Sequence, residues 1–129
     1  MHHIDIASFW PGYTVIAQAL SANHHTLFTL EPRADFLPRC RRCLQPTPLI
    51  HDQRIRRVRE RDLFDRQVWL QLPVRRVDCL RCGRVSEHID WLPSGSRLTR
   101  RMQCWIEALV QYLPIRHAVS YTHLRAHET

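Results

Sequence analysis

Cys40-Arg41-Arg42-Cys43 and Cys79-Leu80-Arg81-Cys82, two C-x2-C pairs with 35 residues between them, set the terms on which the chain folds. Two intervening residues let the backbone turn so that both sulfurs of a pair face one ion. Two such knuckles supply the four soft donors of a tetrahedral Zn2+ site. The wide separation then draws two distant stretches of chain to a common point. Other uses of these cysteines fit less well. Paired disulfides suit an oxidising compartment, and no secretory signal pattern is visible. A redox C-x-x-C asks for a βαβ setting, which this pattern lacks. Iron is the alternative metal for a four-cysteine set. The expectation is one structural Zn2+ on Cys40, Cys43, Cys79 and Cys82. Gly83 follows the second knuckle, where a glycine-permissive turn is expected, whereas Leu44 at the matching place predicts a less regular first turn.

Outward from the knuckles the patterns are those of strands. Residues 50–61 carry Arg54, Arg56, Arg57, Arg59 and Arg61; in a strand the last three share a face with Ile55, and Arg54 and Arg56 lie on the other. Residues 62–65 read as a hairpin turn. Val68, Leu70, Leu72 and Val74 then alternate with Trp69, Gln71, Pro73 and Arg75, predicting a strand with one buried face that runs directly into Cys79. Knuckle, hairpin, knuckle is the layout of a zinc ribbon. Upstream, Pro11-Gly12 signals a turn, and two β-prone runs, 13–20 and 26–30, flank a polar stretch at 21–25, which reads as a second hairpin. His24 and His25 in that turn are expected to be solvated, and His51 and His88 to lie outside a ligand set already filled by four thiolates.

From Ser96 the period changes. Leu98, Met102, Trp105, Ile106, Leu109 and Leu113 recur at helical spacing, Ser96 or Thr99 can cap the start, and Pro114 ends or kinks the helix. Cys104 in this apolar helix is expected to be a buried structural thiol. Arg97, Arg100 and Arg101 near its start oppose the helix dipole, a cost that hints at an anionic partner. The predicted fold is a small α+β chain: an N-terminal β segment (1–38), a zinc ribbon (39–93) and a C-terminal helix beginning a helix-turn-helix (94–118).

Charge supplies the functional clue. The 129 residues carry a net charge of +7, and all 19 basic residues are arginine. Between Arg39 and Arg101 there are 16 arginines against 7 acidic residues, whereas residues 1–38 are mildly acidic. A GC-rich genome explains the choice of arginine but not the clustering. Such a field attracts a polyanion, most simply nucleic acid, and arginine binds phosphate or guanine with paired hydrogen bonds. The candidate DNA contacts are Arg54, Arg56, Arg57, Arg59, Arg61, Arg75, Arg76, Arg97, Arg100 and Arg101. At 44% hydrophobic residues the chain builds only a small core, the usual setting for a metal staple. No apolar run reaches the roughly 20 residues of a membrane span. The expected location is the cytoplasm, with no membrane partner.

Several stretches now resemble the N-terminal region of bacterial insertion-sequence transposases of the ISL-three family. They are Trp10-Pro11-Gly12-Tyr13, the first knuckle, Arg56-Arg57-Val58-Arg59-Glu60-Arg61-Asp62-Leu63, residues 68–72, Val74-Arg75-Arg76-Val77-Asp78-Cys79 and Leu113-Pro114-Ile115-Arg116-His117-Ala118. Arg41 and Leu44 depart from the Cys-Pro-x-Cys-Gly form frequent in such knuckles. The resemblance implies a zinc ribbon and helix-turn-helix ahead of a DDE catalytic domain, binding to double-stranded DNA at the terminal inverted repeats, and possible self-association of the full-length parent. Residues 119–129 resemble one reading frame of a sequencing-library adapter, so the natural sequence is expected to stop near Ala118, and a helical metal site on His123 and His127 is not expected.

No catalysis is expected of this chain. DDE chemistry needs three carboxylates holding two metal ions, and the acids here are scattered among arginines. The leading expectation is a zinc-stabilised, DNA-binding transposase fragment. The alternatives are a zinc-ribbon adaptor that binds another protein, its arginines forming a solvated face, and an inert folded fragment.

Overall fold

The computed structural model describes residues 5–112. A 3-10 turn, Ile6–Phe9, leads into strands β1 (Tyr13–Leu20), β2 (His25–Pro32), β3 (Arg39–Cys40), β4 (Ile50–Leu63), β5 (Arg66–Cys79) and β6 (Gly83–His88), followed by helix α1 (Arg100–Tyr112). Both expected hairpins form. β1 and β2 pair antiparallel with an irregularity between Val15 and Ala17, and β4 and β5 pair antiparallel around the turn at Phe64-Asp65. The strands make one sheet of order β1-β2-β5-β6-β3, with β4 on the other side of β5. One pairing has no local signature: β2 runs parallel to β5, from His25 opposite Gln67 to Thr29 opposite Gln71. The N-terminal hairpin and the central hairpin therefore share a sheet.

β5 serves two cores. Val68, Leu70 and Leu72 point to one face, where they join Trp10, Tyr13, Phe28, Leu30, Val58 and Trp91. Beyond Leu72 the buried positions change parity to Pro73, Arg75, Val77 and Cys79. Val77 and Cys79 pack with Cys40 and Val85 in a second, smaller cluster. The expected single buried face holds only as far as Leu72, and Val74 is half-buried. The reason is tertiary: β2 accompanies the first half of the strand and β6 the second, so different faces are covered along its length.

Glu60 ties three segments together from inside. Its Oε2 accepts from Trp10 Nε1 at 2.9 Å, and its Oε1 from the Thr99 hydroxyl at 2.7 Å and the Arg61 amide at 2.6 Å. A buried carboxylate with three donors is satisfied rather than stranded. The Thr99 oxygen in turn accepts the Met102 amide at 3.2 Å, the N-cap expected for the helix. Leu98 precedes the helix and is buried in a bridge with Arg59.

Among the described residues of α1 only Met102 is fully buried. Cys104 is exposed, which corrects its expected role as a buried structural thiol. It lies two residues from Met102, about 200° around a helix of 3.6 residues per turn, and lines an open groove with Pro11, Trp91 and Trp105. Trp105 is 40% exposed, with the Arg61 guanidinium 4.5 Å over its ring. The expected continuation through Leu113 to Ala118, the residues 119–129, His123 and His127 lie outside the described residues.

Candidate metal centre and nucleic-acid interface

Each knuckle closes the end of a strand. β3 ends at Cys40, whose carbonyl accepts the Leu44 amide at 2.8 Å and whose own amide donates to Gln45 O at 2.9 Å. β5 ends at Cys79, which pairs with Gly83 as the chain reverses into β6. Leu44 at φ 63° and Gly83 at φ 81° both take the left-handed conformation, but the second knuckle joins paired strands and the first closes on an isolated bridge between Arg39 and Pro46. Antiparallel pairing of β3 with β6, Arg39 opposite His88 and Cys40 opposite Glu87, then brings the knuckles together.

The outcome is a cluster of Cys40, Cys43, Cys79 and Cys82 whose sulfurs all lie within 4.8 Å of one another, Cys43 and Cys79 at 3.6 Å. A tetrahedral ion with metal–sulfur bonds of about 2.3 Å requires sulfur–sulfur edges of about 3.8 Å. The donor set fits a thiophilic ion. The Arg81 and Cys82 amides directed at Cys79 draw its thiol down to about 6, while burial and the neighbouring thiols push Cys82 up to about 12. Four adjacent sulfurs shed their protons together only when a cation shares their charge. His51 instead faces Asp52 and Asp78 at 3.9 Å, and His88 meets Asp90 at 2.8 Å, so neither joins the sulfurs.

A concavity of about 680 Å3 gathers Arg41, Arg54, Arg56, Arg57, Arg76 and Arg97, with Val74, Ile89 and Leu92 of the main core in its wall. Two acids also line it, and both are paired. Asp52 grips Arg76 through both carboxylate oxygens, and Glu87 is sequestered by Arg75. Arg76 holds the Asp52 carboxyl below its ordinary range. Burial, with Arg97 and Arg54 nearby, lowers the Arg56 guanidinium from its ordinary value, a sign of cations crowded at one place. Arg41 reaches the rim from within the first knuckle, donating to Ser94 Oγ at 2.6 Å, and Arg56 donates to Ser96 O at 2.9 Å. Arg41 is not among the arginines expected at DNA from the sequence; a basic residue inside a metal-binding turn is the signal that points to it.

The remaining candidates divide. Arg61, Arg100 and Arg101 line a separate groove with Trp91 and Trp105. Arg59 and Arg75 are buried. Arg59 donates to Val68 O at 3.1 Å and Asp62 at 2.7 Å, with its guanidinium 4.6 Å over the Trp69 ring. Arg75 makes a two-pronged pair with Glu87, at 2.9 and 3.0 Å, and Glu87 also accepts the Arg75 amide at 2.8 Å.

Fold and site define a small, mostly β protein with a four-cysteine cluster that could hold a metal ion beside an arginine-lined cleft. The chain is similar to the transposase for insertion sequence element IS1001 of Bordetella parapertussis, 29% identical over 121 residues. The match covers 92% of this chain and 30% of that relative, so the chain spans less than a third of the relative's length. No protein-family model and no solved structure matches it. Among the described residues no helix is long and apolar enough to cross a membrane.

Proposed function

We propose that the chain is the DNA-binding N-terminal part of an insertion-sequence transposase, held together by one structural Zn2+ on Cys40, Cys43, Cys79 and Cys82. The observation that carries this reading is the arginine-lined cleft beside the four-cysteine cluster, in a chain similar to part of a transposase. Zinc is favoured because four cysteine sulfurs gathered within 4.8 Å are its usual structural ligand set. On this reading the two knuckles with the hairpin between them form a zinc ribbon, and α1 is the first helix of a helix-turn-helix that continues through residues 113–118.

Arg41, Arg54, Arg56, Arg57 and Arg97 neutralise phosphates of double-stranded DNA in the cleft, with Arg76 beside them and Arg61, Arg100 and Arg101 on the flank. Arg59 and Arg75 act as internal struts that fix β4 and β5. The element's terminal inverted repeats are the intended duplex, and the chain works in the cytoplasm. On this reading the strand-transfer chemistry belongs to the part of the relative's length that this chain does not span.

Native mass spectrometry with salt-dependent duplex binding tests the proposal. One zinc per chain is expected, with an affinity that falls steeply as salt rises. An affinity insensitive to salt, or a folded, reduced chain without metal, overturns it. Displacement by an acidic protein but not by duplex DNA would favour the adaptor reading instead.

A further inference from the structure

The sheet has a second face that the duplex reading touches only at Arg57. Two rows of residues cross four strands in register: Ala19, Leu27, Trp69 and Arg59, then Ala17, Thr29, Gln71 and Arg57. Their neighbours Phe28, Leu70 and Val58 point the other way, into the main core. Small residues on β1 and larger ones on β5 leave a concavity of about 360 Å3, lined among others by Ala19, His25, Leu27, Arg57 and Trp69. Trp69 is half-buried and held in place, with the His25 ring 4.8 Å away and the Arg59 guanidinium 4.6 Å over its ring. Arg57 is exposed, donates to Gln71 Oε1 at 3.1 Å, and lines both this concavity and the basic cleft.

We propose that this face is a distinct site for an unpaired nucleotide, its base stacking at Trp69 and His25 and its phosphate meeting Arg57. Aromatic rings with a cation beside them match a flat base on a charged backbone. Within a duplex the bases are stacked on one another and cannot reach a ring recessed in a sheet; a frayed or single-stranded end can. Continuity through Arg57 lets one strand leave a duplex held in the cleft and pass to Trp69. An acidic peptide would complement the charge but has no flat π face for Trp69. The inference rests on the duplex-binding proposal, because it assigns the two concavities to one DNA end.

The test compares, with the full chain, a blunt duplex, the same duplex with a short thymidine overhang, and oligothymidylate, by fluorescence anisotropy at one salt concentration. The overhang is expected to tighten binding about tenfold, within the range for stacking one base on an aromatic side chain. Trp69→Leu should abolish that gain and leave blunt-duplex affinity unchanged, whereas Trp69→Phe retains most of it. In the unaltered chain, iodouracil placed in the overhang should photocrosslink to Trp69 or His25, a readout that does not depend on how a variant folds. Equal affinity for blunt and overhanging duplex, with crosslinks elsewhere, overturns this site and leaves duplex binding standing. Loss of binding to all three DNAs overturns both proposals. Displacement of the overhang by polyglutamate, with the blunt duplex retained, assigns the face to an acidic peptide instead.

Discussion

Leu44 and Gly83 occupy the same position after their knuckles, at φ 63° and 81°, but only glycine takes that conformation without strain. A side chain there costs about 1–2 kcal/mol. A Cβ at Gly83 would meet nothing within 4 Å, so backbone conformation alone decides the outcome. Leu44→Gly should stabilise the metal-loaded chain by up to about 1 kcal/mol and Gly83→Ala destabilise it by about the same amount, read as opposite shifts in a chelator-competition midpoint. The Arg75–Glu87 pair sits deeper, with the Glu87 side chain 0% exposed. Glu87→Ala leaves a buried guanidinium without its carboxylate and should cost about 3–5 kcal/mol in urea unfolding. An unfolding midpoint unchanged by that substitution would mean that Arg75 finds water or another acceptor.

At the scale of elements, α1 hangs on its first turn. Thr99 caps the helix and donates to Glu60, while Arg100 and Arg101 follow with no acid in the first turn to offset them. Thr99→Ala removes the cap and one of three donors to a buried carboxylate, an expected loss of about 1–3 kcal/mol. Circular dichroism should report reduced helicity with the β signal retained; an unchanged helical signal would place the helix's stability elsewhere. β5 carries a comparable responsibility for the sheet. Its two halves face two cores, so the pattern Val68, Leu70, Leu72 was readable as alternation, while the switch at Pro73 required knowledge of which strand lies alongside.

Across the whole molecule the two cores differ in what holds them. The main one has aromatic side chains from Trp10, Tyr13, Phe28 and Trp91, whereas the second is little more than Val77, Val85 and the cysteines. Structural zinc contributes on the order of 10 kcal/mol to folding in small modules. Chelation is therefore expected to open residues 39–48 and 78–90 first, seen as faster amide hydrogen exchange there while protection at Leu70 and Phe28 persists. Uniform loss of protection would mean that the cores fold as one unit. For the cleft, Arg54→Gln with Arg97→Gln should lower the salt dependence of duplex binding by about two in log–log slope. An unchanged slope would remove both from the phosphate contacts.

The hairpins, a C-terminal helix capped at Ser96 or Thr99, and the four sulfurs were legible in the amino-acid sequence. Period-2 alternation, turn residues, an N-cap and C-x2-C spacing are local signals, carried by neighbours in the chain. Likewise legible was the excess of arginine between Arg39 and Arg101. Only the tertiary structure decided which arginines face solvent. Arg57 and Arg59 share a face of β4, yet one is exposed and the other buried over Trp69, because β5 places that ring opposite Arg59. The parallel pairing of β2 with β5 and the meeting of Trp10, Glu60 and Thr99 were equally hidden. Such contacts join residues far apart in the chain, and their energy depends on burial that no local pattern records.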